Sequence, residues 1–537
     1  MQLSRLTRAP RAPRLSVGGG RDRANSIALA ALCTLLFLTF LDNTIVAVAL
    51  SSLQTTLHAS VADLQWVVGA YALTFASVML ACGMIGDELG RKKVMLTGAG
   101  VFCAGSILCA LAPNAQVLIA GRAIMGLGAA ASEPGTLSVL RQIYTGERAR
   151  ARAIGVWAGV SGLALALGPV IGGAIVGAWN WRGIFWFNLF FGLLALLVAA
   201  AVVPESADPQ AARVDTAGTL LGAGALATLV FGIIDAETSS FAAAEPVTLF
   251  CVAAVLAAAF VWWEHRSANP LLSPRLFRLR WFTVPNVVAF CTYFSTFAIF
   301  FFAALYLDQV LGADGYRIAL VFAPMTVLMI ASSVAAGYWT GRSGPRWPIT
   351  IGCALFGAGL LLADPLINTH PNYYLLGLAL AVAGIGIGVT VVPVTSAVLD
   401  AVPPDRSGMA ASAANTSREI GAVTGVAVLG AIVFSQVNSS LSSGLVRLGV
   451  PVAYKTLILE FIETGQVQGV NINNYKSNPI VGKVIGAAYA AFGDGVHLAL
   501  YVSAGLMFFA ALLCLVTLRS GRGAPHVQSP LSGGPSA

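Results

Sequence analysis

Fourteen long apolar segments lie between residues 27 and 518, and each has about the length needed to cross a bilayer. A span of about 20 mostly apolar residues matches the ~30 Å hydrocarbon core. Because unsatisfied backbone groups are costly in lipid, such spans fold as helices. Charged residues make up only 10% of the chain, against about 25% in soluble proteins. We therefore predict an all-α polytopic membrane protein with fourteen transmembrane helices.

The distribution of basic residues predicts the orientation of these helices. With an even number of crossings and the first terminus inside, 23 of the 31 basic residues fall on the cytoplasmic side. This asymmetry follows the positive-inside rule. Arginine outnumbers lysine 26 to 5, which indicates a GC-rich bacterial gene. We predict a multi-pass protein of the bacterial plasma (inner) membrane with both termini cytoplasmic. Its positive charge then faces the lipid bilayer, and no nucleic-acid partner is expected.

A weak internal repeat divides the chain into two halves. GMIGDELGRKK begins at Gly83, and GYWTGRSGPR begins at Gly337, which is 254 positions later. Parallel duplicated halves are a mark of secondary transporters. We predict a basic cytoplasmic arm (1–26), a six-helix bundle (27–203), two inserted helices with linkers (204–281), a second six-helix bundle (282–518) that includes an extracytoplasmic loop (435–494), and a disordered cytoplasmic tail (519–537).

Asp42 and Arg122 lie at matching depths in the predicted bundle. Asp42 is about 15 residues into the first helix, roughly 22 Å from the inner face at ~1.5 Å per residue. Arg122 is about six residues into the descending fourth helix, roughly 9 Å from the outer face. In a core of ~30 Å these depths nearly coincide, and a buried acid and base are natural partners. Two interpretations stay open, a proton-coupling pair and a static ion pair that only fixes helix packing.

Two glutamates are further candidates for membrane-buried charge. Glu133 lies close to three turns after Arg122 on the same segment, so the two side chains face one direction. Glu133 is open to three roles, which are binding a cationic substrate, carrying a second proton, and snorkelling to the interface. Glu419 lies near mid-depth beside Arg418. It is either a coupling and substrate-binding acid or one member of a local Arg–Glu pair.

Several motifs resemble signatures of the major facilitator superfamily. The turn after the second helix resembles its loop signature, although Ile85 replaces a leucine and Glu88 replaces a base. Residues 155–173 resemble its fifth-helix antiporter motif, residues 118–130 its fourth-helix motif, and residues 41–50 the signature of the fourteen-helix drug:proton antiporter family. The residues that match the loop signature are Gly83, Asp87, Gly90 and Arg91, and those that match the antiporter motif are Gly168, Pro169, Gly172 and Gly173.

This resemblance implies the major facilitator fold, with two six-helix bundles plus two extra central helices. It also implies a proton-coupled antiporter that exports lipophilic, cationic drugs by alternating access. The expected partners of the monomer are small-molecule lipophilic substrates and protons, and the proposed coupling residues are Asp42, Arg122, Glu133 and Glu419. Glu133 and Glu419 are also the candidate substrate-binding residues.

Two other functions stay open at this point. One is a dedicated exporter of a single native metabolite or lipid, and the other is a membrane sensor or receptor that does not transport. The sequence lacks GxxxxGK[ST], HExxH, GxSxG and CxxC. We therefore expect no phosphate-cradling loop, no enzymatic activity, no cofactor and no metal site.

Overall fold

The structure, a computed structural model, describes residues 18–144, 147–205, 215–238, 241–267, 274–368, 371–402, 407–447 and 479–518. Every regular element in these ranges is helical. The short 3-10 helices are Val46–Ala49, Pro274–Arg278 and Asp364–Leu366. The α-helices are α1 Gly18–Ile45, α2 Leu50–Leu57, α3 Val61–Leu89, α4 Arg91–Ala110, α5 Ala115–Ile143, α6 Glu147–Ala178, α7 Arg182–Val202, α8 Thr216–Thr238, α9 Ala244–Arg266, α10 Arg280–Gln309, α11 Gly315–Ser343, α12 Arg346–Ala363, α13 Tyr373–Asp400, α14 Ser407–Arg447 and α15 Pro479–Thr517.

Thirteen of the described helical stretches are long and apolar enough to cross a membrane. The first of them consists of α1, the 3-10 turn that follows it, and α2. α6 is helical over 32 residues. Within it, the segment Leu167–Ala178 is apolar but shorter than the other thirteen stretches. With α6 included, the described helices agree with the fourteen predicted crossings.

Several helices extend further than the predicted boundaries. α14 continues to Arg447 and α15 begins at Pro479, so both ends of the predicted loop 435–494 are helical. Polar residues of α14 stabilise this extension by bonding within their own helix, since Gln436 Nε2 donates to Ser440 Oγ at 3.3 Å. α1 likewise begins at Gly18, inside the predicted arm 1–26. Residues 448–478 of the loop and the tail 519–537 lie outside the described residues.

The internal repeat is visible in the backbone of the two halves. Gly90 ends α3 with φ +115°, and Gly344, also 254 positions later, ends α11 with φ +77°. Lys92 Nζ donates to a carbonyl in the last turn of α7 at 2.7 Å, and Arg346 Nη2 donates to one in the last turn of α15 at 2.8 Å. Each half therefore ties its α3–α4 or α11–α12 turn to its own last helix in the same way.

Helix packing repeats at a similar offset, which is 254 positions from Gly98 to Gly352 and 258 from Gly128 to Gly386. A Cβ added at Gly98 of α4 would lie 2.6 Å from the Gly128 carbonyl oxygen of α5. A Cβ added at Gly352 of α12 would lie 2.9 Å from the Gly386 carbonyl oxygen of α13. Small residues let membrane helices approach this closely. The two six-helix halves thus share both their turns and their internal contacts.

The two halves touch where α6 meets α11. A Cβ at Gly173 would lie 2.5 Å from the Gly315 oxygen, and one at Gly315 would lie 2.7 Å from the Gly173 oxygen. We call the end of the bundle that carries the Gly90 and Gly344 turns the basic end. Because α6 ends and α11 begins near this contact, the halves are closed against each other at the opposite end.

The two inserted helices are central in the sequence but peripheral in space. α8 packs on the seam between α3 and α14, where Val230 and Ile233 contact a cluster that includes Leu73 and Val423. α9 packs on α8 and is mostly exposed. The pair therefore covers one outer side of the contact between the halves.

Candidate functional site between the two halves

Asp42 and Arg122 form a buried ion pair inside the first half. Arg122 Nη1 donates to Asp42 Oδ2, and Arg122 Nε donates to the Val67 carbonyl oxygen at 2.9 Å. Asn188 Nδ2 donates to the other carboxylate oxygen, Asp42 Oδ1, at 2.6 Å. Residues from α1, α5 and α7 thus meet at one carboxylate, both of whose oxygens are hydrogen-bonded, and α3 holds the arginine through the Val67 carbonyl.

An aromatic ring completes the surroundings of the arginine. The guanidinium carbon of Arg122 lies 4.5 Å from the ring centroid of Tyr71, whose hydroxyl donates to the Thr39 carbonyl at 2.9 Å. A cation over an aromatic face is favourable, and more so when it is desolvated. Arg122 and Asp42 are 1% and 0% exposed. Coupling and static packing both require this contact, so the geometry alone does not choose between them.

Glu133 of α5 reaches across the seam to the second half. Its Oε1 accepts a hydrogen bond from Asn415 Nδ2 of α14 at 2.5 Å, and its Oε2 is buried with no hydrogen-bond partner. The side chain is 2% exposed. The snorkelling interpretation is therefore wrong for this structure, because the second half covers the carboxylate and α5 continues for ten residues beyond it.

Glu419 of α14 makes the reciprocal contact with the first half. Its Oε1 accepts from Asn43 Nδ2 of α1 at 3.2 Å, while its Oε2 is buried without a partner. The local Arg–Glu pair is not seen among the described contacts. Consecutive residues of a helix point about 100° apart, and Arg418 turns instead to Asn415 Oδ1 at 3.0 Å and to Thr395 Oγ1.

The seam therefore contains hydrogen-bonded polar side chains from both halves. These side chains form two separate hydrogen-bonded groups. Arg418 donates to Asn415, which donates to Glu133, and Asn43, the residue that follows Asp42, donates to Glu419. An unpartnered buried oxygen costs about 1–3 kcal/mol, and more when it is charged. The two free oxygens are therefore places where a proton or a cationic ligand would be stabilising. Among the described residues, no group of three or more His, Cys, Asp or Glu could hold a metal ion.

The residues of the loop signature lie at the basic end. Gly83 packs on Pro134 of α5, since a Cβ added to it would lie 3.6 Å from the Pro134 Cβ. Gly90 reverses the chain, and Arg91 is the first residue of α4. The backbone N–H of Lys92 donates to Glu205 Oε1, just beyond α7, at 3.0 Å. Asp87 belongs to α3, and its side chain lies outside the described part of the chain.

The residues of the antiporter motif pack α6 against α1 beside the ion pair. A Cβ at Gly168 would overlap Thr44 Oγ1, and one at Gly172 would lie 2.6 Å from the Ile45 carbonyl oxygen. Pro169 is buried inside α6 between them. Gly173 makes the contact with α11 described above. One helical segment therefore contacts both α1, the helix that carries Asp42, and the second half.

The sequence reasoning did not place three amides in this site. Asn43, Asn188 and Asn415 are all buried and all bond a candidate acid. Polar side chains within apolar segments commonly hydrogen-bond across helices. An asparagine in the middle of a predicted span was therefore a usable signal, although the sequence does not identify its partner.

Comparison with known proteins agrees with this architecture. The model of the Major Facilitator Superfamily matches residues 32–435. The chain is 32% identical to multidrug resistance protein Stp of Mycobacterium tuberculosis over 79% of each chain. It is also 32% identical to the methylenomycin A resistance protein of Streptomyces coelicolor, over 81% of this chain and 92% of that one.

Solved structures share the fold. The inward-facing, unoccupied structure of a bacterial homolog of the human lysosomal transporter Spinster aligns with a TM-score of 0.60 at 17% identity, covering 92% of this chain and 98% of that one. The POT family transporter PepTSo aligns with the same TM-score at 12% identity, covering 92% of this chain and 97% of that one. Because the family model spans most of the described helices of both halves, this chain is a member of the Major Facilitator Superfamily of membrane transporters, and not an enzyme.

Proposed function

We propose that this protein exports lipophilic, cationic drugs across the bacterial plasma membrane in exchange for protons. The observation that carries the proposal is the pair of buried carboxylates at the seam, Glu133 and Glu419, each with one oxygen unpartnered. Relatives named as multidrug resistance and efflux proteins support drug export as a resistance function. The distribution of basic residues supports an orientation with both termini and the basic end in the cytoplasm. We propose that the protein acts as a monomer.

In the proposed cycle, a proton is exchanged at Asp42. The deprotonated carboxylate pairs with Arg122 while the halves are closed at the outer end. A proton from outside neutralises Asp42 and weakens that pair, and this biases the two halves through the turn at Gly83, Asp87, Gly90 and Arg91. Substrate and proton need only share one two-state equilibrium, and not one residue.

A dedicated exporter of one native compound is the second candidate. The specific observation in its favour is that a relative is named for resistance to a single compound, methylenomycin A. Such an exporter uses the same fold and the same buried acids. The alternative of a sensor that does not transport has no comparable support.

Flux into vesicles tests these functions together. The full-length protein is reconstituted, and uptake of a panel of lipophilic cations and neutral compounds is measured with and without an imposed pH gradient. We expect gradient-dependent uphill flux of several cations. Flux of a single compound would favour the dedicated exporter, and the absence of any flux with folded protein would contradict transport.

A further inference from the structure

An aromatic groove lies on the outer surface of the first half, where α6 ends and α7 begins. Its volume is about 540 Å³, and its lining includes Trp179, Trp186, Phe190 and Phe191. All four side chains are exposed, Trp179 by 77% and Phe190 by 66%. Because α7 is a membrane-spanning helix, this aromatic groove faces lipid.

The walls of the aromatic groove are held in place by ring contacts. The ring centroids of Phe187 and Phe191 lie 4.5 Å apart, and Phe190 meets Phe191 edge to face at 5.2 Å. α6 and α7 approach closely because a Cβ at Gly183 would lie 2.8 Å from Ile175 Cγ2. The groove is therefore preformed, and only residues of the first half line it.

One charged side chain lies at the mouth of the aromatic groove. The guanidinium of Arg182 is positioned by a hydrogen bond from Nη2 to the Ala112 carbonyl at 3.0 Å and by the Trp181 ring at 4.1 Å. No carboxylate among the described residues forms an ion pair with it. With five N–H donors in a guanidinium, Arg182 retains donors for an anion that carries its own acceptor oxygens.

The position of Arg182 indicates what that anion is. It is the first residue of α7, at the end of a membrane span, with Trp179 and Trp186 nearby. Tryptophan is enriched at the level of lipid headgroups, where phosphodiesters are the abundant anions. A guanidinium matches phosphate oxygens in geometry and charge. We propose that this groove binds a membrane phospholipid, with its phosphodiester at Arg182 and an acyl chain against Trp186 and Phe190.

This site differs from the seam in being independent of the second half. None of its lining residues belongs to the seam described above, so binding should persist in both states of a transport cycle. A transported lipid would instead contact Glu133 or Glu419. The proposal therefore does not depend on which compound the protein exports.

Native mass spectrometry of the purified full-length protein in detergent tests the proposal. Phosphatidylglycerol and a diacylglycerol with the same acyl chains are titrated separately, since they differ only by the phosphodiester headgroup. We expect the parent protein to bind phosphatidylglycerol at least about tenfold more tightly, as one charge-assisted contact of ~1.4 kcal/mol requires. Equal binding of the two lipids would overturn the proposal.

Variants separate the headgroup contact from the apolar contact. Arg182→Gln should remove the preference for phosphatidylglycerol, and Arg182→Lys should keep part of it because the charge remains. Phe190→Ala should weaken binding of both lipids about fivefold through lost apolar contact. Phe509→Ala, an exposed aromatic of α15 outside the groove, is the control and should bind like the parent.

The readout stays decisive if Arg182→Gln folds poorly. Phe190 is an exposed side chain, so its truncation leaves the protein core intact. If Phe190→Ala binds each of the two lipids as tightly as the control Phe509→Ala does, there is no lipid site in the aromatic groove. A preference for phosphatidylglycerol that survives in a folded Arg182→Gln protein also overturns the assignment of the headgroup.

Discussion

At the scale of single residues, Asn188 allows Asp42 to be replaced by asparagine without loss of the surrounding hydrogen bonds. Asn188 donates to Asp42 Oδ1, and its own Oδ1 is buried without a hydrogen-bond partner. An asparagine at position 42 would present an amide nitrogen to this neighbour. A 180° rotation of the Asn188 side-chain amide then brings its unpartnered Oδ1 into position to accept a hydrogen bond from that nitrogen. The hydrogen bonds survive, and the substitution removes only charge and titration.

We expect Asp42→Asn to abolish proton coupling while substrate still binds. The proton loses its acceptor, whereas the packing of α1, α5 and α7 is retained. The measurement is substrate-induced proton release from purified protein in detergent, with substrate binding followed in parallel. Arg122→Lys keeps the charge but loses the planar guanidinium, so it should reduce coupling without abolishing it.

Two outcomes would contradict this assignment. If Asp42→Asn releases as many protons as the parent, Asp42 is not the coupling residue, and Glu133 or Glu419 takes its place. If the variant mainly loses stability, by the ~3–5 kcal/mol typical of breaking a buried pair, the pair is structural.

Glu133 should decide whether the transporter distinguishes charged from neutral substrates. Glu133→Gln keeps an oxygen for Asn415 Nδ2 and replaces the unpartnered carboxylate oxygen with an amide. We expect export of cations to fall severalfold while export of neutral compounds is unchanged. Cellular efflux assays at matched protein levels measure this, and Glu245→Gln on the exposed start of α9 is the control. Equal loss for both classes would indicate a coupling role instead.

The sequence predicted part of this site because the rise of a helix is constant. Counting residues from each membrane face was enough to place Asp42 and Arg122 at one depth. The contacts of Glu133 with Asn415 and of Glu419 with Asn43 were not predictable in the same way. They depend on how the two halves meet, which no local pattern specifies.

At the scale of secondary-structure elements, Asp215 fixes the inserted pair. Its Oδ1 accepts from the Gly218 N–H in the first turn of α8, and both carboxylate oxygens lie within 2.9 Å of Trp263 Nε1 on α9. One carboxylate therefore caps α8 and joins it to α9.

Asp215→Ala should destabilise the protein more than loss of a cap alone. A cap contributes about 1 kcal/mol, and the half-buried Trp263 donor would add part of the ~1–3 kcal/mol that an unpaired buried donor costs. The matched control is Asp314→Ala, because Asp314 caps α11 through the Arg317 N–H at 2.9 Å. Thermal unfolding in detergent compares them. Equal midpoints for the two variants would contradict the inter-helix role.

Hydropathy predicted which elements exist but not their ends or neighbours. The apolar stretches give the crossings because bilayer thickness sets their length. α14 runs past its apolar region into residues 435–447, which are mostly polar, so the hydropathy signal is lost there. α15 begins at Pro479, 16 residues before the predicted span, although residues 479–494 carry only two charges, Lys483 and Asp494. The packing of α8 on the α3–α14 seam depends on shape complementarity, which composition does not report.

At the scale of the whole molecule, closure of the halves depends on the Gly173–Gly315 contact. Gly315→Val should prevent the close approach of α6 and α11, because a Cβ there would lie 2.7 Å from the Gly173 oxygen. We expect the state open at the opposite end to dominate. Gly341→Val is the control on the same helix, since a Cβ there meets no atom within 4 Å.

Spin-label distances would measure this shift. Leu111→Cys and Tyr374→Cys lie at the opposite end, one in each half, and both positions are exposed. Cys251→Ser removes an exposed native cysteine from the background. The distance between the labels should lengthen in Gly315→Val and stay as in the parent in Gly341→Val. An unchanged distance in Gly315→Val would show that the contact does not control closure.

The orientation of the molecule can be tested in intact cells. The charge asymmetry puts the segment between α14 and α15 outside. Asn473→Cys, which lies outside the described residues, should therefore react with a membrane-impermeant maleimide before lysis. Labelling that requires lysis would contradict the predicted topology.

The repeat at 254 positions made the two-halved architecture predictable, since the Gly90 and Gly344 turns recur in register. The end at which the halves close was not predictable. In the proposed alternating-access cycle, one sequence supports both states, so it cannot specify only one of them.

The 3-10 segment Val46–Ala49 joins α1 to α2 within the first membrane span, so its pitch sets the position and rotation of α2 relative to α1. It begins four residues after Asp42. Gly168 and Gly172 of α6 pack closely against Thr44 and Ile45, the two residues just before it. A 3-10 helix advances ~2.0 Å per residue and turns ~120°, against ~1.5 Å and ~100° in an α-helix. Conversion of these four residues to α-helix would draw α2 inward by about 2 Å and rotate it by about 80°. In the proposed cycle, a charge change at Asp42 would need to alter only this one helical turn to move α2 at the outer end of the first half.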